Sequence, residues 1–336
     1  MKRNVFWLAA MAVTVSMASC SLEEVVEQPA PQAIGFSSFV GKPTKAVNET
    51  TVEDLYAGFQ VYGAYKTDAN VFDGVTVTSG DNGTSWSYDD TQYWVPGQSY
   101  KFAAMGPSGN DINTKLSFDY STGHLKLTDY EVTDLATGSK DLVYATATRD
   151  NSSATDYSAV SFTFGHIMSW IKIKFVHKMT SGYEITVSDI TVTGVKTKGT
   201  FNGTDWTMNT SPVTANFNEQ DPNADSYNQT DKLLDENGDN CLVDFIAIPQ
   251  TIAASGTPFT VTFKLGVTDN KGTSLVTDKS VTATMNSDQT WASNYVYVYT
   301  AELDETVLGL QPIKFTVSSV TPWNAPEQTD DFDTVQ

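Results

Sequence analysis

The sequence predicts an all-β protein built from two tandem β-sandwiches. Short segments of alternating apolar and polar residues recur about every ten positions, and turn sequences such as DG, DNG, PG and STG separate them. No run of the chain fits an amphipathic helix of more than about three turns. With 336 residues, the chain is long enough for two domains of ordinary size, each with its own core.

The N-terminus has the pattern of an export signal. A basic start precedes the apolar stretch VFWLAAMAVTV, and small residues follow up to Cys20. The apolar stretch is too short to span a bilayer, which takes about 20 residues. We expect Cys20 to carry diacylglycerol and palmitate in the precursor, which would hold the protein on a membrane. Cleavage after Ala18 or Ser19, with an incidental cysteine, is the alternative.

The predicted organisation has four parts. A lipoprotein signal peptide covers residues 1–19, and an acidic tether, which bears prolines towards its end, covers 20–32. The N-terminal sandwich then covers 33–180, and the C-terminal sandwich covers 181–336 and includes a strand that could be donated to another subunit. The boundary is placed at the turn sequence MTSG, after which the strand pattern starts again.

Alternation places the strands of the first half between turn signals. A short helical turn is predicted from Thr51, since threonine caps helices and acidic residues follow it. The predicted strands of this half are AIGFSSF (33–39), GFQVYGAY (58–65), GVTVT (74–78), SYKFAAM (99–105), KLSFDY (115–120), HLKLTDY (124–130), DLVYATAT (141–148), AVSFTF (159–164) and IMSWIKIKFV (167–176).

The second half repeats the pattern around a long polar loop, predicted at residues 218–240. Its predicted strands are YEITVSDITVTGV (183–195), the short segments TFNG and DWTMN, LVDFIAI (242–248), FTVTFKLGV (259–267), SLVTDKSVTATM (274–285), NYVYVYTAEL (294–303) and IKFTVSSV (313–320).

The charge of the chain excludes several classes of function. Twenty basic residues against forty acidic ones give a net charge of −20, which repels phosphate backbones, so we expect no nucleic-acid partner. Arg3 and Arg149 are the only arginines, and Cys20 and Cys241 the only cysteines. Neither a cation-lined anion site nor a disulfide framework is therefore predicted.

No catalytic motif accompanies the candidate chemical residues. HExxH, GxSxG and the P-loop are absent from the sequence, and His124, His166 and His177 lie on separate predicted strands. We expect these histidines to be packed or surface residues, so the sequence predicts no enzyme, no catalytic residue and no cofactor beyond the lipid. A hydrolase with two carboxylates brought together by folding is the alternative that stays open.

The acidic loop DENGDN (235–240) partly follows a calcium-binding pattern. Asp235, Asn237 and Asp239 alternate as such ligands do. However, Asn240 replaces the required glycine, and Ile246 stands where a closing glutamate is needed. We therefore predict no metal site, while a structural cation stays open.

Several aromatic residues near predicted loops could bind sugars. If Trp86, Trp94 or Trp206 formed an exposed platform, the protein would be a glycan-binding surface lipoprotein of a polysaccharide-uptake system. Strand aromatics more often pack in cores or across strands, so this function is kept as the alternative.

Seven segments, in order along nearly the whole chain, resemble the fimbrillin family, the lipoprotein pilins that form the type V pili of Bacteroidia. The leader ending in MASC and the strand-loop segment IGFSSFVGKPTKA are the first two. The others are YWVPGQSYKFAAMGP (93–107), DLVYATA (141–147), FGHIMSWIKIKF (164–175), FIAIPQ (245–250) and WASNYVYVYTAEL (291–303).

This resemblance implies two transthyretin-like domains and assembly by strand exchange at the cell surface. A trypsin-like protease would remove the first strand, which includes Ile34 and Phe36, and the C-terminal strand of another subunit would fill the groove. The basic loop offers two lysines, but the proline after Lys42 should block cutting there, leaving the bond between Lys45 and Ala46.

The best predicted donor strand is IKFTVSSV, in which Ile313, Phe315 and Val317 alternate and point one way. The resemblance therefore implies a stalk or tip subunit of an adhesive fimbria on the outer membrane. Its partners would be other fimbrial subunits, the protease, the membrane through the lipid, and a host or glycan ligand.

Overall fold

The structure, a computed structural model, confirms the all-β class. It describes residues 31–40, 50–51, 53–67, 70–152, 156–217, 232–234, 240–285, 287–308 and 314–323. Strands dominate these residues, and their helices are the short segments Asp54–Ala57, Asn110–Asn113 and Glu305–Leu308.

The first half of the chain forms the following strands: β1 (Phe36–Val40), β2 (Phe59–Ala64), β3 (Asn70–Val77), β4 (Ser99–Gly106), β5 (Leu116–Asp119), β6 (His124–Glu131), β7 (Val143–Asp150), β8 (Val160–His166) and β9 (Ser169–His177).

The second half forms the following strands: β10 (Tyr183–Val195), β11 (Lys198–Phe201), β12 (Trp206–Met208), β13 (Val213–Asn216), β14 (Lys232–Leu233), β15 (Asn240–Ala247), β16 (Gln250–Ile252), β17 (Thr260–Asp269), β18 (Ser274–Thr284), β19 (Gln289–Trp291), β20 (Tyr295–Leu303) and β21 (Lys314–Pro322).

A six-stranded sheet in the order β1-β8-β7-β4-β2-β3 organises the first half. Alternate residues of β4 face opposite sides of it, since Phe102 and Ala104 belong to one core cluster while Ala103 and Met105 belong to another. The second cluster also holds apolar residues of β6, which lies in a four-stranded sheet in the order β12-β11-β6-β5. The six-stranded sheet is therefore covered on both faces.

Two further sheets pack face to face in the second half. One has the order β13-β10-β17-β18, with β14 also paired to β10, and the other has the order β15-β9-β20-β21. Phe175 of β9 meets Phe263 of β17 edge-on, with ring centroids 4.9 Å apart. A two-stranded sheet of β16 and β19 completes the described strands.

A glycine allows the bulge in β10. The register of β10 against β13 shifts between Thr193 and Val195, and Gly194 has a φ of 100°. An added Cβ would lie 2.4 Å from the carbonyl oxygen of Pro258. Only glycine adopts this conformation easily and leaves room for that oxygen.

The structure corrects several predicted elements. The predicted loop at 218–240 contains the short strand β14, and Leu234, which follows it, is buried. Strands β13, β16 and β19 were not predicted. The helical turn expected from Thr51 is a 3-10 helix at Asp54–Ala57, and Thr51 donates both its amide and its hydroxyl to Oδ2 of Asp54.

The sheets do not separate at residue 180, where the domain boundary was predicted. Strand β9 lies before that point but pairs with β15 and β20, and β11 lies after it but pairs with β6. The number of domains and their transthyretin-like character stay predictions.

Candidate functional site

The first strand fills a groove between two other segments of the chain. Strand β1 is the edge strand of the six-stranded sheet and runs parallel to β8, with Phe36 opposite Val160 and Val40 opposite Phe164. On its other side, the residues just before β1 pair with the segment around Tyr93 through a bridge at Ala33. We call the space occupied by residues 32–40 the first-strand groove.

Backbone hydrogen bonds hold both sides of this segment. The Ile34 amide donates to the Gln92 carbonyl at 2.8 Å, and the Trp94 amide donates to the Gln32 carbonyl at 2.9 Å. On the β8 side, the Val160 amide donates to the Gly35 carbonyl at 2.8 Å. Removal of the segment would therefore leave unpaired donors and acceptors on two facing edges, which is a template for another strand.

Inward side chains of the segment complete a core cluster. Ile34 is 1% exposed and Phe36 is 5% exposed. Phe36 lies at the centre of an aromatic group, with ring centroids between 5.1 and 6.4 Å from those of Phe72, Tyr88, Phe102 and Phe162. The groove without its strand would expose these rings to water.

The third inward-facing residue of the segment, Ser38, has a polar side chain. Ser38 follows Ile34 and Phe36 on the same face and lies opposite Phe162. Its hydroxyl is buried, and the structure shows no hydrogen-bond partner for it. A buried hydroxyl without a partner costs about 1–3 kcal/mol. Ser38 therefore lowers the stability with which the resident strand occupies the groove.

A tyrosine hydroxyl adds a contact that the sequence did not reveal. The Tyr88 hydroxyl donates to the Ile34 carbonyl at 2.6 Å and accepts from the Gln92 amide at 3.3 Å. Burial raises the pKa of Tyr88 still further above neutral pH. No spacing rule connects Tyr88 with Ile34, because the two residues meet only through folding.

The predicted donor strand lies at another sheet edge. Strand β21 is antiparallel to β20, with Phe315 opposite Ala301 and Val317 opposite Tyr299. Val317 is 38% exposed and Val320 is 45% exposed. Ile313 lies outside the described residues.

The predicted modification and processing sites, Cys20, Lys45 and Ala46, also lie outside the described residues, as does the acidic loop from Asp235 to Asp239. Arg149 lies within β7. Its guanidinium donates to the Ala159 carbonyl at 2.8 Å and pairs with Asp156 at 3.8 Å. These contacts make Arg149 a poor protease site in the folded chain, because cleavage requires an extended, accessible segment.

The tryptophans considered as a sugar platform are packed. Trp94 is 4% exposed, which contradicts its proposed surface role. Trp86 packs against Phe59, with ring centroids 5.1 Å apart. The Trp206 indole is partly buried and donates to the Ile167 carbonyl at 2.8 Å. Trp94 therefore offers no open face for a sugar ring, and Trp86 and Trp206 are each partly buried.

The histidines do not come together. His124 lies 3.0 Å from the Tyr144 hydroxyl, His166 lies 2.5 Å from a carboxylate oxygen of Asp141, and His177 lies 3.0 Å from the Tyr183 carbonyl. Within the described ranges, no group of three or more His, Cys, Asp or Glu residues is arranged to hold a metal ion.

Two further clusters near β9 were not foreseen. The buried Asp141 side chain binds both Thr50 and His166, which are far from one another in the sequence. The Trp170 indole donates to Oδ1 of Asp244, and Lys172 Nζ lies 3.8 Å from the centre of the Trp170 ring. Burial raises the pKa of Asp244 to about 6.

No helix among the described residues is both long enough and apolar enough to cross a membrane.

The chain matches a family model and several solved structures. Residues 44–323 match the model described as fimbrillin-like. A fimbrial protein from Bacteroides vulgatus is 16% identical, with a TM-score of 0.60 over 87% of this chain and 99% of its own. No curated protein matches the chain significantly.

Two proteins whose names assign them to cell adhesion have similar folds. The protein from Bacteroides ovatus is 16% identical, with a TM-score of 0.52 over 88% of this chain and 98% of its own. The protein from Bacteroides eggerthii is 15% identical, with a TM-score of 0.53 over 87% of this chain and 97% of its own. At this identity, the similarity shows a shared fold.

Proposed function

The chain belongs to the fimbrillin-like family, and we propose that it is a non-enzymatic, adhesive subunit of a cell-surface fimbria, in its stalk or at its tip. The shared fold with a fimbrial protein over nearly all of that protein's length supports this proposal. In this role the chain works without a cofactor, and its partners are other fimbrial subunits and a host or glycan ligand.

The first-strand groove is the observation that carries the proposed assembly. Proteolysis between Lys45 and Ala46 removes residues up to Lys45, and with them Ile34 and Phe36. Each of these side chains contributes about 1.5–3 kcal/mol through its burial, so the emptied groove is unstable in water. A strand from another subunit then restores both the ladder hydrogen bonds and the apolar contacts.

The donor in this proposal is the C-terminal strand. The partial exposure of Val317 supports this role, because a side chain that is incompletely buried in its own subunit can gain burial in the groove of the next one. Alternation would place Ile313 and Phe315 on the same side as Val317. Three inward side chains would then replace Ile34, Phe36 and Ser38.

We further propose that the precursor reaches the outer membrane as a lipoprotein. Acyl chains on Cys20 hold it there, since each buried methylene contributes about 0.8 kcal/mol. The cut after Lys45 separates the folded subunit from this anchor. A trypsin-like protease that accepts lysine is required, because no arginine lies in the loop.

N-terminal mass spectrometry of protein from native cells tests the proposal. We expect two species: a precursor that begins at lipidated Cys20, and an assembled form that begins at Ala46. In Lys45→Gln the second species should be lost, and in the matched control Lys42→Gln it should remain, because proline follows Lys42. Assembled fibres that contain only the lipidated form would refute processing.

A further inference from the structure

A buried cluster lies where three distant segments of the chain meet. Asp141 precedes β7, His166 ends β8, and Trp323 follows β21. Asp141 and Trp323 are fully buried, and His166 is 3% exposed. The rings of His166 and Trp323 are stacked, with centroids 4.5 Å apart and planes 2° from parallel.

Trp323 is also held by its backbone and by a second aromatic ring. Its amide donates to the Asn294 carbonyl at 2.8 Å, and the Asn294 amide donates to the Met168 carbonyl at 2.9 Å. The ring centroids of Trp323 and Trp170 are 5.6 Å apart. The end of β21 is thus fixed to both β9 and the turn before β20.

This anchor matters because the side chains of residues 316–322 are exposed and contribute little to holding the strand. Between residues 316 and 323, Trp323 is buried while all the others are exposed. Among the strands that the structure describes, β21 pairs with β20 alone, because it ends the order of its sheet. Edge strands of this kind open locally more easily than central strands.

Asp141 connects this anchor to the segment behind the proposed cleavage loop. Its Oδ2 atom accepts from the Thr50 amide at 3.0 Å and binds Nδ1 of His166 at 2.5 Å. Its backbone carbonyl accepts from the Thr50 hydroxyl at 2.8 Å. One carboxylate oxygen therefore fixes the His166 ring and the first described residue after Lys45.

We propose that Asp141, His166 and Trp323 form a latch that keeps β21 on its own subunit, and that Thr50 braces this latch. Removing the segment ahead of Thr50 then loosens the brace, so that processing favours release of the C-terminal strand as a donor. The link to processing rests on the proposed function, but the latch and its brace belong to the unprocessed subunit.

Hydrogen exchange of the unprocessed full chain, measured by mass spectrometry, tests the latch without cleavage or polymerisation. Trp323→Ala should speed exchange of the amides of residues 316–323 by at least about tenfold, because this part of the strand loses its buried anchor. Trp323→Phe should have a smaller effect in the same direction. The matched control Val320→Thr changes an exposed residue of the same strand and should leave exchange unchanged.

The brace is tested by a double-mutant cycle. Thr50→Val removes the hydroxyl bond to Asp141 with little change in shape, and should speed β21 exchange by about two- to fivefold. In a Trp323→Ala background the same substitution should have no further effect on β21, because its influence passes through Trp323. Exchange of β2 amides reports on global unfolding, and Trp323→Ala should speed it too, because a fully buried side chain is lost. In every variant the β2 amides should stay more strongly protected than the β21 amides, because β21 opens without the rest of the fold.

Three results would overturn the inference. Unchanged β21 exchange in Trp323→Ala would show that Trp323 does not hold the strand. If Thr50→Val sped β21 exchange as much in the Trp323→Ala background as in the parent protein, Thr50 would not act through the latch. Equal protection of the β2 and β21 amides in both Trp323 variants would show that β21 exchanges through global unfolding and not through release from the latch. If the exchange results were as expected but cells neither processed nor assembled the subunit, the proposed function would be wrong and the latch would stand.

Discussion

Phe36 of the first strand stacks on Phe162 of β8, with ring centroids 5.8 Å apart and planes 20° from parallel. The two residues have different fates in the proposed assembly. Phe36 leaves with the first strand, whereas Phe162 remains in the groove and meets the incoming strand.

Phe36→Ala should therefore weaken the precursor and not the fibre. The loss of a buried phenyl ring lowers the free energy of unfolding of the precursor by about 3–5 kcal/mol. The control Phe59→Ala removes a ring from a strand that stays in the subunit. It should lower the free energy of unfolding of both the precursor and the assembled form. Thermal unfolding of the precursor and of the fibre measures the two effects. If Phe36→Ala destabilised the fibre as much as the precursor, removal of the strand would be contradicted.

Ser38→Ala should stabilise the precursor by about 1 kcal/mol, because it removes a buried hydroxyl that has no partner. The added stability should also slow replacement of the first strand in a polymerisation assay. Ser37→Ala, on the opposite face of the same strand, is the control and should change the free energy of unfolding by less than about 0.5 kcal/mol.

Val317→Asp should leave the monomer folded but stop polymerisation. Val317 is 38% exposed in its own subunit, so the substitution should lower the free energy of unfolding by only about 1 kcal/mol or less. In the proposed groove, the same carboxylate would be buried without a partner. Thr316→Asp, directed to the other side of the strand, should still polymerise. If electron microscopy showed normal fibres of the Val317→Asp variant, Val317 would be excluded as a donor residue.

The pKa of Asp244 predicts a pH dependence of stability. Burial raises this pKa from 3.8 to about 6, so the folded chain holds a proton between these values that the unfolded chain has released. Stability is therefore lost as the pH rises through this window, by about 1–2 kcal/mol after allowance for solvent screening of this half-buried residue.

Asp244→Asn tests this prediction, because the amide oxygen can still accept from the Trp170 indole. The variant should have a higher melting temperature than the parent protein at pH 7.5 and an equal one near pH 4. If the difference were the same at both pH values, titration of Asp244 would not be its cause.

Local patterns predicted most of the strands because alternation reports directly which residues face a core. The predicted strand at 183–195 coincides with β10, and the predicted strand at 99–105 differs from β4 by one residue. Short strands such as β14, with two residues, offer too few positions for a pattern to be seen.

Contacts between distant segments could not be predicted in this way. Thr50 and Asp141 are 91 positions apart, and no periodicity relates them. The burial of Trp94 depends on neighbours such as Tyr100 and Tyr157, which the fold brings to it. Pairing of β9 with β20 likewise depends on the global arrangement and not on either segment alone.

The first-strand groove and the C-terminal strand occupy different edges of the molecule, and this has a consequence for symmetry. In the proposed assembly, the joint between these two unlike patches is heterologous, so it cannot form a two-fold dimer and, where the rotation does not close a ring, it propagates as an open, polar filament. Such a filament has two chemically distinct ends. One end displays a groove that no further copy has filled, and the other displays a strand with no recipient. The subunit at the first end remains stable only if it keeps its own β1 or receives a strand of a different sequence, which gives the filament a defined terminus without any additional capping fold.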